Sequence, residues 1–168
     1  VSICGCSEKP AQSSASESSV TSDAGSVSES VSEASDSSTA TGTAAEITAK
    51  IKQDVKFPGM AEIGADRMAG YYDVAADKID SYSAYICGSG AYPDEIAVFK
   101  MKSADDVNAV KSVLEKRVEN QSATFKDYTP DEMYKIDGNN VVTSGNYVAL
   151  IICADNAKAI EDFKAMAK

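Results

Sequence analysis

The run Glu95-Ile96-Ala97-Val98-Phe99-Lys100-Met101 places Ile96 and Val98 on one side of an extended chain and Ala97, Phe99 and Met101 on the other. Side chains alternate across a strand, so apolar groups on both sides predict a strand covered from above and below. Upstream, Lys78 to Cys87 is rich in Tyr and Ile and predicts a strand that forms a hairpin with it. Downstream, Val141-Val142-Thr143 and Tyr147 to Cys153 flank Ser144-Gly145-Asn146, the signature of a second short hairpin.

Helix starts are marked by hydroxyl side chains placed to cap free N–H groups, with a carboxylate reaching back. Thr43-Ala44-Ala45-Glu46 opens a helix with Ile47, Ile51 and Val55 on one face, ended by Phe57-Pro58-Gly59. Ser103-Ala104-Asp105-Asp106 opens the longest helix, whose Val107, Val110, Leu114, Val118 and Phe125 follow 3–4 spacing, with Gln121 the one polar exception. Thr129-Pro130-Asp131-Glu132 opens a short one with Pro at its first position. A last helix runs from about Asn156 with Ile160, Phe163 and Met166 inward, and Met60–Tyr72 is expected to be helical. The expected class is α+β: an antiparallel sheet of about four strands, built from two hairpins, with helices packed on one face.

Composition divides the 168 residues into three parts: 1–6, 7–43 and a single domain over 44–168. Ser7 to Thr43 holds 14 Ser and 4 Thr with no aromatic, Ile or Leu, and a net charge of −5. Such a stretch buries too little apolar surface to offset its ordering entropy, which predicts a disordered tether spanning roughly 35 Å. Ahead of it, Ile3-Cys4-Gly5-Cys6-Ser7 resembles a bacterial lipobox, with Cys6 as the lipidated residue and residues 1–5 removed on maturation. Two acyl chains anchor a protein stably, and no other apolar stretch approaches the ~20 residues that span a bilayer.

Charge and missing residue types exclude more than they select. A net charge of −10 and a pI near 4.4 argue against nucleic acid as a partner. Absence of histidine removes Ser-His-Asp and Cys-His catalysis and His-ligated zinc, and no metal or other cofactor is expected.

Asp94-Glu95-Ile96-Ala97-Val98-Phe99-Lys100, Arg117, Gln121, Phe125-Lys126-Asp127-Tyr128-Thr129-Pro130 and Gly145-Asn146-Tyr147-Val148-Ala149-Leu150-Ile151-Ile152 together resemble the domain of unknown function family numbered 4358. The resemblance covers Tyr72 through Phe163. It implies an α+β fold and a lipid-anchored protein outside the cytoplasm of Gram-positive bacteria, and it implies no activity.

Four groups of residues are candidates for chemistry. Glu95 begins the central strand, and Arg117 lies on the inner side of its helix. A guanidinium there needs a carboxylate, and the Tyr128 hydroxyl is expected to complete the network; the pair either fixes helix to sheet or binds a polar ligand. Tyr71, Tyr72, Tyr82, Tyr85 and Tyr92 fall within 22 residues and offer a platform for sugar rings or a partner protein, or simply roof the core. Cys87 and Cys153 both end strands and either form a disulfide or sit as buried thiols; without His, neither is an expected nucleophile. The pairs Asp105-Asp106 and Asp131-Glu132 belong to first helical turns, and Asp137-Gly138-Asn139-Asn140 reads as a turn.

The favoured function is therefore a non-enzymatic module outside the cytoplasm, held to the membrane through Cys6, that binds a cell-wall component or another surface protein. The alternative is a hydrolase of envelope material that uses Asp or Glu side chains.

Overall fold

The computed structural model describes residues 41–136 and 138–168. Cys6, the tether up to residue 40, and Asp137 lie outside the described residues. The elements are α1 (Ala44–Asp54), β1 (Met60–Glu62), α2 (Ala65–Tyr71), β2 (Ile79–Cys87), β3 (Glu95–Met101), α3 (Val107–Tyr128), β4 (Val141–Ser144), β5 (Tyr147–Ile152) and α4 (Asn156–Met166). The strands form one antiparallel sheet in the order β1-β2-β3-β5-β4.

The α+β class stands, with two corrections. The sheet has five strands, because Met60–Glu62 is a strand paired with Tyr85–Cys87 and only Ala65–Tyr71 is helical. Helices cover both faces of the sheet. Ile96, Val98, Tyr147, Ala149 and Ile151 pack with Ile47 and Ile51 of α1 and Phe163 of α4. Ala97, Phe99, Val148, Leu150 and Ile152 pack with Met68 of α2 and with Val110, Leu114 and Phe125 of α3. Two-sided apolarity in β3 and β5 demands this arrangement, since a single layer of helices would leave one apolar face in water.

Local signals act as their chemistry requires. The Thr43 N–H donates to Glu46 Oε2 (2.7 Å) and the Glu46 N–H donates to Thr43 Oγ1 (3.3 Å), a reciprocal capping box. Thr43→Ala is expected to lower stability by about 1 kcal/mol, seen as a reduced urea midpoint with unchanged slope. The Thr129 hydroxyl makes no cap, and Pro130–Lys135 is a 3-10 turn rather than an α-helix. Gly145 takes φ +54° in the β4–β5 turn, a conformation that favours glycine.

The sheet has two unlike ends. At one, the Tyr147 hydroxyl donates to the Gly42 carbonyl (2.9 Å) and the Gly42 N–H donates to Met166 O (3.1 Å), so the chain enters the domain there. At the other, about 20 Å away along β3, lie Cys87, Asp94, Cys153 and the Phe57-Pro58 exit from α1.

Candidate functional site

Glu95 is fully buried at the start of β3, on the side facing α3. Arg117 donates Nη2–H to Oε2 (2.9 Å) and Nε–H to Oε1 and Oε2 (3.1 and 3.2 Å). Gln121 donates to Oε2 (2.8 Å), one helical turn on, and the Tyr72 hydroxyl donates to Oε1 (2.7 Å). The sequence-predicted pair is thus present, but Tyr72 supplies the hydroxyl. Tyr128 lies exposed at the end of α3, outside the network, because its position turns it toward solvent. Burial opposes the Arg117 charge, yet the Glu95 carboxylate outweighs it and raises the guanidinium pKa. Burial and the adjacent Glu95 keep the Tyr72 phenol protonated far above the usual tyrosine range. A pocket of about 470 Å³ opens beside Arg117, lined by Tyr71, Asp73, Ser112, Lys116 and Asn120. Glu95 lies beneath the arginine rather than in this opening, so the network acts first as the joint between α3 and the sheet.

The tyrosines do not form one platform. Tyr82 and Tyr85 stand three residues apart on a strand and therefore point to opposite faces. Tyr82 packs edge-on with Tyr72 and tilted on Phe99 (centroids 6.4 and 5.0 Å), and its hydroxyl donates to Ile63 O (2.9 Å). Tyr85 lies on the α1 side with the Lys52 ammonium 3.4 Å from its ring centre. Tyr92, in the β2–β3 loop, is the exposed member of the five, at 43%.

Cys87 and Cys153 are free and buried, the second of the two alternatives that the sequence leaves open. Both flank Asp94 in one row across the sheet, with β3 between them. Two strand spacings put their Cα atoms about 10 Å apart, beyond the ~7 Å limit for a bridge. Burial pushes the Cys153 thiol up to about 12. Burial also opposes ionisation of Cys87, but the Ser89 hydroxyl (3.2 Å) and the backbone around Ser89, Tyr92 and Gly90 outweigh it and bring that thiol below its ordinary value.

The row Cys87–Asp94–Cys153 ends in a polar cluster that sequence reasoning missed. Lys135, from the turn after α3, is buried, and its Nζ contacts Asp94 Oδ2 (2.7 Å) and Glu132 Oε2 (2.6 Å). Asn140 and Asn156 both donate side-chain N–H to Lys135 O (2.8 and 2.9 Å), which fixes the lysine backbone against the ends of β5 and α4. Burial lowers the Lys135 pKa, but Asp94 and Glu132 outweigh it and raise it above its ordinary value. It is a fixed cation, not an amine nucleophile. Burial raises the Asp94 carboxyl above its ordinary value despite the lysine, and Asp94 Oδ1 has no hydrogen-bond partner.

Above this cluster is an open pocket of about 280 Å³ lined by Lys56, Phe57, Pro58, Tyr92, Asp94 and Lys135. Tyr92 and Tyr134 place their ring centres 5.4 and 5.9 Å from Lys135 Nζ, and Tyr134 is 59% exposed. A second pocket of about 510 Å³ lies on the other side of the same Phe57-Pro58 spur. Among the described residues, no helix is long and apolar enough to cross a membrane and no group of carboxylates and thiols is placed to hold a metal.

Fold and site define a three-layer α+β body with a buried ion-pair joint in one layer and an aromatic-rimmed pocket at one end of its sheet. The chain belongs to the family described as domain of unknown function DUF4358, which it matches over residues 53–153. That span takes in the Glu95 network and all of the Lys135 cluster except Asn156, and stops short of α4. No curated protein and no solved structure matches the chain.

Proposed function

We propose that this protein is a lipid-anchored binding module of the cell exterior, whose folded body captures a cell-wall component or surface protein at the Asp94–Lys135 end of its sheet. The observation that carries the reading is the pocket itself: a charged floor held rigid by Asn140 and Asn156, under a rim of Phe57, Pro58 and partly exposed Tyr92. Apolar walls with a few fixed polar groups are the usual make-up of a small-ligand site. The hydrolase reading needs two carboxylates free to act as acid and base. Asp94 and Glu132 instead share one ammonium, which favours recognition over proton transfer.

Support for the anchor comes from Ile3-Cys4-Gly5-Cys6 and the Ser/Thr-rich run after it. Cys6→Ala is expected to shift the protein from the membrane fraction to the medium, or to leave it unprocessed; a processed Cys6→Ala protein retained on membranes contradicts the anchor. Capture of envelope material by the full chain, followed by mass spectrometry, tests the site. Tyr92→Ala is expected to reduce capture at least tenfold, while Lys116→Ala, beside the Arg117 pocket, leaves it unchanged. The reverse pattern moves the site to Arg117.

A further inference from the structure

Resting on that reading, we infer that the sheet-end pocket takes a single saccharide ring, held through two adjacent hydroxyls. Electrostatics narrows the ligand first. Asp94 and Glu132 stand against an anion, while Lys135 on the floor and Lys56 at the mouth stand against a cation. A neutral ligand is the class that neither sign repels.

Hydrogen-bonding capacity narrows it further. Asp94 is almost wholly buried and lines the pocket, and its Oδ1 lacks a donor. An unpartnered buried carboxylate oxygen is an unfavourable state that a ligand O–H relieves. Lys135 has three N–H groups; one donates to Asp94 Oδ2 and Glu132 Oε2 stands 2.6 Å away as an ion-pair partner, which leaves N–H capacity to donate. An acceptor and a donor thus sit side by side, with Lys135 Nζ only 2.7 Å from the Asp94 carboxylate. Vicinal hydroxyls meet that demand, one donating to Asp94 Oδ1 and its neighbour accepting from Lys135. Phe57, Pro58 and Tyr92 provide the apolar walls that the C–H faces of a pyranose require, and about 280 Å³ lies just under the size of drug-sized sites, suited to one ring.

The test uses the full chain and records the ring signals of Tyr92 and Phe57 by NMR during titration. The probes are methyl β-D-glucopyranoside, N-acetylglucosamine, cyclohexanol, n-butylammonium chloride and sodium butyrate. At least one sugar is expected to shift both signals saturably, with a dissociation constant in the millimolar range, as for a ligand of so few atoms. Tyr92→Ala, in an exposed loop where folding is not at stake, is expected to weaken that binding at least fivefold. Cyclohexanol binding as well as the better sugar contradicts diol recognition, and stronger binding of the ammonium or the carboxylate contradicts the neutral class. If neither sugar moves the rings while envelope capture still depends on Tyr92, the saccharide assignment falls and the binding reading stands. If capture is also independent of Tyr92, both fall.

Discussion

Arg117→Ala is expected to lower unfolding free energy by about 3–5 kcal/mol, toward the lower end because the arginine side chain is 22% exposed. The substitution removes three hydrogen bonds from a fully buried carboxylate and leaves it with only Gln121 and the Tyr72 hydroxyl, both neutral. Most of the loss reflects an uncompensated buried charge rather than the net worth of the pair, so Glu95→Gln in the Arg117→Met background is expected to recover part of it. Urea unfolding monitored by circular dichroism measures both. Lys116→Ala, one residue away but in an exposed pair with Glu119, is expected to stay within ~0.5 kcal/mol of the parent. An Arg117→Ala protein within 1 kcal/mol of the parent contradicts the joint.

Alkaline pH gives the second large effect. The Cys153 thiol has an ordinary value of 9.0 and is pushed to about 12 in the folded protein, where it is 1% exposed. Between pH 9 and 12 the unfolded chain releases this proton and the folded chain retains it, so stability is full below pH 9 and declines as pH rises toward 12. Three units correspond to a loss of up to about 4 kcal/mol. Cys153→Ala is expected to remove this component, so that the difference between the two proteins' unfolding free energies narrows or inverts across that interval. A constant difference from pH 8 to 12 contradicts the burial argument. In the native state Cys87, with its lowered pKa, is expected to be alkylated before Cys153.

What the sequence shows plainly is local or periodic. Thr43 and Glu46 lie three apart and cap a helix by their own chemistry, and β3 and β5 declare their two buried faces by alternation. That alternation requires helices above and below the sheet, whereas a single layer leaves one apolar face in water. The Glu95–Arg117 pair was legible because each is a charge among apolar neighbours and each needs the other. By contrast, nothing local joins Asp94 to Lys135, 41 residues away. Asp94 reads as a loop acid beside Pro93, and Lys135 reads as an ordinary cation in the last turn of a short helix. The available hint was the string of amides, Asn140 and Asn156, flanking the β4–β5 hairpin, because such residues in otherwise apolar surroundings must satisfy buried backbone groups. Tyr72 and Tyr128 were exchanged for a related reason: both are near the network in sequence pattern, and only packing of α2 decides which ring turns inward.

Hydrogen exchange on the full chain, with and without solubilised cell-envelope material, tests the binding end most directly. Added material is expected to slow exchange in 56–60, 88–92 and 131–136, the segments around Phe57, Tyr92 and Lys135. Slowing confined to 70–73 and 112–120, around the Arg117 pocket, or no slowing anywhere in the folded body, contradicts it.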